Sequence, residues 1–289
     1  MFHGSLVALA TPMNDKGNID YPALDRLLDW HFNAGTNGLV IAGTTGESGT
    51  LSLGEKLAMM RYVVKVVHER MPVIGGAHAN GTEALVDITQ QVMATGVDAA
   101  LIMTPAYIKP TQKGLIRHYR AIAEQVPIPI ILYNVPSRTA CDMLPETIAR
   151  LSDMPNIIGV KEATAKMDRI DRIKELAGPT LDIFSGDDGT ALDCMRHGGK
   201  GVISVTANVA PKFMADMCKA ALDKRFDEAE AIDKKLQPLH RALFLESNPI
   251  PTKWALAQLQ LISGIIRLPL TELSAEHYDA VREAMAQVK

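Results

Sequence analysis

The feature that most restricts this chain is a rhythm. Eight times, a short β-branched apolar run is followed by a turn and then by an amphipathic stretch of helix length. The runs read "SLVALATP", "GLVIAG", "PVIGGA", "AALIMTP", "IPIILYNVP", "NIIGVKEAT", "LDIFSGD" and "KGVISVTAN". Between them lie helical patterns such as "YPALDRLLDWHFNAG", "SLGEKLAMMRYVVKVVHER" and "GTEALVDITQQVMATG". In the second of these, Leu57, Met60, Tyr62, Val63, Val64 and Val67 mark an apolar face at helical spacing. Ser52 three residues before Glu55 reads as a capping box, and Gly35 and Gly96 stand where helix C-caps belong. Eight such units without a long interruption predict an α/β fold, a (β/α)8 TIM barrel. A doubly wound open sheet is the rival, but it ordinarily has fewer strands and a glycine fingerprint after the first, which "SLVALATPMND" lacks. The rhythm stops near Leu222. Beyond it come helical patterns broken by the prolines of "SNPIP" and "RLPL". The expected organisation is a catalytic barrel over residues 1–223 and a C-terminal helical appendix over 224–289. With no low-complexity linker between them, the appendix is expected to pack on the barrel.

Composition narrows the partners. Of 289 residues 47% are hydrophobic, enough for a large core, and the formal net charge is -3. That balance, with no basic stretch, argues against nucleic acid. Cys141, Cys194 and Cys218 fall outside any C-x-x-C pattern and read as buried thiols of a reducing compartment. The N-terminus lacks a basic leader, and no run reaches the roughly eighteen apolar residues of a membrane span. A cytoplasmic protein without a membrane partner is expected. The eight histidines show no H-x-H or H-E-x-x-H spacing, so no metal is expected.

In barrels of this kind the strand carboxyl ends build the active site. Here the second strand ends in "GTTGESGT" with Thr44 and Thr45, the fourth in "TPAY" with Tyr107, and the fifth in "LYNVPSRT" with Tyr133 and Arg138. The sixth ends in Lys161, the seventh in "SGDD" and the eighth in "SVTAN". Hydroxyls, a guanidinium and an amine converge, with no obvious carboxylate pair. Strand alternation puts Lys161 and Glu162 on opposite faces. If Lys161 points inward, Gly159 and Ile157 point inward below it. An amine over an apolar floor is poorly solvated, which favours the free base that attacks a ketone to form a Schiff base. The protonated imine then withdraws electrons, and the adjacent carbon loses a proton to become a nucleophilic enamine. The alternative is a lysine that points outward and pairs with Glu162 or with a helix carboxylate. "GTTGESGT" lacks the lysine of a phosphate loop; its glycines instead let backbone N–H groups approach an anion such as a carboxylate.

"GTTGES", "YNVPSRT", "IIGVKEAT" and "GVISVTAN" resemble the signature segments of the dihydrodipicolinate synthase family, Schiff-base aldolases and lyases that include N-acetylneuraminate lyase. The similarity runs through "NPIPTKW" in the C-terminal region. It implies condensation of pyruvate with L-aspartate 4-semialdehyde, the entry to diaminopimelate and lysine synthesis, without metal or organic cofactor. By this resemblance Lys161 is the Schiff-base lysine, Tyr133 the proton shuttle, and Thr44 and Tyr107 its relay partners, Tyr107 reaching in from a neighbouring subunit. Thr45 binds the pyruvate carboxylate and Arg138 the carboxylate of the semialdehyde, while Gly186 and Ile203 line the pocket through their backbones. The family implies a homotetramer, a dimer of dimers. A pyruvate lyase acting on a sugar acid is the rival enzyme, and a catalytically silent barrel that senses 2-oxo acids is the rival of another class. Lysine-inhibited members bind L-lysine in a cleft to which Ser48 and Asn80 correspond. Ala84 stands there in place of a glutamate, Ala106 of a tyrosine and Lys56 of a histidine, so weak or absent feedback is expected.

Overall fold

In the computed structural model, which describes residues 2–288, all eight apolar runs form parallel strands. They are β1 (Gly4–Ala8), β2 (Gly38–Ile41), β3 (Val73–Ala77), β4 (Ala99–Met103), β5 (Ile130–Asn134), β6 (Ile157–Glu162), β7 (Asp182–Ser185) and β8 (Gly201–Ser204). Each pairs with the next, and β8 returns to β1, closing the barrel. Helices follow each strand, from Tyr21–Ala34 after β1 to Pro211–Leu222 after β8.

Local chemistry sets the helix ends. The Asp20 carboxylate accepts from Ala23 N at 3.0 Å to start Tyr21–Ala34, and Gly35, at φ 80°, ends it. Ser52 and Glu55 form the expected reciprocal box at the start of Leu53–Val67. Gly96 sits slightly off its expected place. The helix Thr82–Met93 is capped by Ala94 in the right-handed region, and Gly96, at φ 87°, turns the chain two residues later.

Side chains alternate between two cores, as a barrel wall demands. Leu6, Val40, Ile74, Leu101, Ile131 and Phe184 fill the interior. Val7, Leu39, Val73, Ile102, Leu132 and Ile183 face the helices. β6 breaks the alternation. Ile157 and Val160 both lie in the outer core, although they are three positions apart, while Ile158 packs against the interior cluster. The cause is a register shift: Ile130 pairs with Ile157 but Ile131 with Gly159, so β6 carries one extra residue. The expected inward Ile157 is therefore corrected to Ile158, and the upper half of β6 keeps its parity.

Past the barrel helices come Phe226–Ala242, Ile250–Gln258 and Tyr278–Ala286. They bond to the barrel's loops: His240 Nδ1 to Thr206 Oγ1 at 2.8 Å, and Gln237 Nε2 to Gly189 O at 3.0 Å. Among the described residues no helix is long and apolar enough to cross a membrane.

Candidate active site

Lys161 points into the barrel. It is 5% exposed, and its Nζ lies 4.5 Å from the centroid of the Tyr133 ring, the residue paired with it on β5. The outward alternative is excluded by the partners of Glu162. That carboxylate faces the helices, where it accepts from Arg169 Nε at 2.9 Å and from Asn134 Nδ2 at 3.1 Å. Arg169 also pairs with Asp142 at 2.8 Å. This network outside the wall anchors the strand end that carries the amine. Lys161 itself makes no ion pair among the described residues, and its amine lies against the face of the Tyr133 ring.

Space for the amine comes from Gly186. A Cβ there would stand 2.6 Å from Ala163 Cβ and 3.1 Å from Lys161 Cε, so only glycine lets the lysine stem lie flat against the end of β7. Gly76 plays the same part on the other side. A Cβ on it would meet Ala42 O at 2.4 Å, where the loop after β2 crosses the barrel mouth.

That loop brings Thr44 and Thr45 to the cavity. Their amide N–H groups donate to no backbone acceptor among the described residues, while Glu47 N and Ser48 N close the turn onto Thr44 O and Gly43 O at 3.1 and 3.2 Å. Two free donors and two hydroxyls beside an amine make a cradle for a carboxylate. Glu47 holds φ at 56°, uncommon for a residue with a side chain, and its buried carboxylate is fixed from the C-terminal region. Lys253 Nζ donates to one oxygen, and Arg267 N to the other at 3.1 Å. Burial lowers the proton affinity of Lys253, and Glu47 opposes that shift.

The resulting cavity has a volume of about 220 Å3 and a floor of Ala8, Val40 and Leu101. Its polar wall holds Lys161, Tyr133, Thr44, Thr45, Arg138 and Gly186 together. Arg138, exposed on the short helix Pro136–Thr139, stands at the mouth. Two of the expected residues are not on the cavity wall. The side chain of Ile203 is buried in the interior cluster that also holds the floor residues Ala8, Val40 and Leu101, and Val205 lines the cavity at the end of β8. Tyr107 is 88% exposed, at φ 71°, on the loop after β4, and does not enter this chain's own cavity.

Among the wall residues that sequence reasoning missed are Asp187, Phe244 and Asn248. Asp187 was visible in "SGDD", but nothing separated it from Asp188, which is buried and clamps Val205 N and Thr206 N at 2.8 and 3.1 Å. Asn248, in "SNPIP", carried only a helix-breaking signal, yet its Nδ2 donates to Thr45 Oγ1 at 2.9 Å. A second cavity, of about 270 Å3, shares Thr44, Tyr133, Arg138 and Asn248 with the first and extends past Ser48 and His78. Burial, assisted by the nearby Lys56 charge, lowers the His78 pKa to about 4.

Residues 1–288 match the profile of the dihydrodipicolinate synthetase family. The 4-hydroxy-tetrahydrodipicolinate synthase of Legionella pneumophila is 53% identical over 289 residues, covering 100% of this chain and 99% of that protein. The crystal structure of the chloride-inhibited dihydrodipicolinate synthase of Acinetobacter baumannii, complexed with pyruvate, is 44% identical with a TM-score of 0.98, covering 100% of this chain and 99% of that one. A monomeric dihydrodipicolinate synthase variant is 37% identical with a TM-score of 0.97, over 99% and 97% of the two chains.

Proposed function

The chain belongs to the dihydrodipicolinate synthetase family, and from that premise we infer that it condenses pyruvate with L-aspartate 4-semialdehyde to 4-hydroxy-tetrahydrodipicolinate, the first committed step towards diaminopimelate and L-lysine. The observation that carries the reading is the buried Lys161 amine over the Tyr133 ring, in a cavity whose opposite wall is the Thr44–Thr45 cradle. Pyruvate enters with its carboxylate on Thr45 and the loop amides, which sets its ketone carbon before Nζ. The amine adds to that carbon, water leaves, and an iminium remains. Its methyl group then loses a proton to give the enamine. In this reading Tyr133 carries protons to the departing water and from the methyl, with Thr44 next in the relay; the pairing of Tyr133 with Lys161 on adjacent strands supports it. The enamine carbon attacks the aldehyde. Finally, the amino group from the semialdehyde adds to the iminium carbon and displaces Lys161, closing the ring and regenerating the amine.

Arg138 at the mouth supplies the selection. A guanidinium matches the carboxylate end of the semialdehyde in a two-pronged contact, whereas a sugar acid would need groups that bond hydroxyls. Arg138→Ala is expected to lower kcat/KM for the semialdehyde by about 2–4 kcal/mol, or some 30- to 1,000-fold, while imine formation with pyruvate largely survives. Steady-state kinetics beside a pyruvate-trapping assay measure both. Equal loss of the two steps would show a collapsed site instead of a lost clamp.

The second cavity bears on feedback. Of the cleft residues Ser48 lines it, while Asn80, Ala84, Ala106 and Lys56 lie outside its wall; among the described residues its one carboxylate, that of Glu47, is paired with Lys253. A cationic amino acid finds no free acid there, and Lys56 adds a like charge nearby. Inhibition by L-lysine is therefore expected to be weak. Removing such a carboxylate partner costs roughly 2–5 kcal/mol, thirtyfold or more in affinity. Titrating L-lysine at subsaturating pyruvate measures it, and clear inhibition below millimolar concentrations would contradict the expectation.

The exposed Tyr107 calls for a neighbour, and the assembly that supplies it is a homotetramer built from dimers. Cytoplasm is the compartment that suits the chain's three buried free thiols.

A further inference from the structure

The C-terminal helical region supplies part of the substrate cradle. Thr252 Oγ1, on the first turn of Ile250–Gln258, donates to Asn248 Oδ1 at 3.3 Å, and Asn248 Nδ2 donates to Thr45 Oγ1 at 2.9 Å. Thr252, Asn248 and Thr45 are 0%, 5% and 1% exposed, so bulk water does not compete for these bonds. The direction of donation matters. A threonine hydroxyl has one hydrogen and two lone pairs, and an amide has distinct donor and acceptor ends. Because Thr45 Oγ1 accepts from Asn248, its own hydrogen is free to point elsewhere, and the open side of Thr45 is the cavity that holds Lys161. Were the amide turned over, Thr45 would give its hydrogen to Oδ1 and present only lone pairs to the cavity.

We propose that Thr252 and Asn248 are positioning residues that fix Thr45 as a hydrogen-bond donor towards the carboxylate of pyruvate. The proposal rests on Thr45 being the carboxylate binder, and deepens that reading. A carboxylate only accepts, so a chain of donors ending at the cavity is the polarity that such a ligand requires. Asn248 also lies on the cavity wall, which leaves its second Nδ2 hydrogen available to the same anion. Simple docking of the C-terminal region does not require this arrangement. The Lys253–Glu47 pair and the bonds of Arg267 to Thr50 O and Glu55 already tie that region to the loop after β2.

The test measures half-saturating pyruvate for the Lys161 adduct trapped by borohydride on the full-length protein, for wild type, Thr252→Val, Thr252→Ser and Asn248→Asp. Thr252→Val removes the donor that orients the amide, and half-saturating pyruvate is expected to rise about five- to tenfold, as for one lost hydrogen bond. Thr252→Ser restores that donor, and its value is expected to stay within about twofold of wild type. Asn248→Asp puts a carboxylate where the donor stood. It draws the Thr45 hydrogen to itself and repels the ligand, raising half-saturation by about a hundredfold or more. At saturating pyruvate, Thr252→Val should trap as much adduct as wild type, a split that general loosening of the site would not produce. If wild type traps adduct but Thr252→Val and Asn248→Asp both keep its half-saturation within twofold, the positioning role is overturned. A wild-type protein that traps none overturns the Schiff-base reading and this proposal with it. Should the valine variant not fold, Asn248→Asp alone decides, since it matches asparagine in shape.

Discussion

Lys161→Ala is expected to lower turnover by about 10^4-fold or more, because among the described residues no other amine lines the cavity to form the covalent intermediate. Lys161→Arg should be as inactive. A guanidinium stays protonated at any working pH and cannot serve as a free-base nucleophile, so retaining the charge does not retain the chemistry. Stability should move differently. Lys161 is buried with no ion-pair partner among the described residues, so shortening it breaks no salt bridge of the fold. The alanine variant is therefore expected to fold and to melt within a few degrees of wild type. Steady-state kinetics and thermal unfolding on the same preparations check both halves. Loss of activity with loss of folding would leave the amine's role unproven, and retained turnover would remove it from the mechanism.

Mixing two inactive variants is expected to regenerate activity. Tyr107 lies 88% exposed at φ 71° on the loop after β4, beside the half-exposed Ile108, and the cavity of its own chain is built without it. If it completes a neighbour's proton relay, Tyr107→Phe should slow turnover by about 10^2- to 10^4-fold, the usual scale for a lost acid–base group. In a mixed dimer of Tyr107→Phe and Lys161→Ala chains, the site that keeps Lys161 receives the intact tyrosine from its partner. One site in two then works, and random mixing makes half the dimers mixed, so about a quarter of wild-type activity should return. Native mass spectrometry establishes that mixed dimers form. Mixed dimers no more active than Tyr107→Phe alone would show that the tyrosine does not cross the interface. The same experiment bears on assembly, which differs among relatives: the dihydrodipicolinate synthase variant at 37% identity is monomeric.

The barrel was legible because its signal is local and repeated. Each strand must feed two cores, each helix one, and those demands recur eight times along the chain. Lys161 and Tyr133 were legible for a related reason: polar groups at the carboxyl ends of apolar strands conflict with burial unless something uses them. The floor beneath Lys161 was not. One extra residue in β6 turns Ile157 outward and Ile158 inward, and a run of Ile-Ile-Gly-Val gives no sign of where the bulge falls. The C-terminal contribution was hidden more deeply. Asn248 meets Thr45 across 203 positions and Lys253 meets Glu47 across 206. Neither pair has a spacing or periodicity to betray it, and in "SNPIP" the prolines spoke only of a broken helix. Tyr107 shows a third kind of limit, since its partner in the proposed relay lies on another copy of the chain.

The most direct test of the account is to incubate the protein with pyruvate, reduce with borohydride and map the adduct by peptide mass spectrometry. One reduced pyruvate adduct per chain, on the peptide that carries Lys161 and absent from Lys161→Ala, is the expected result. An adduct on a different lysine, or none from a preparation that turns over both substrates, would contradict it.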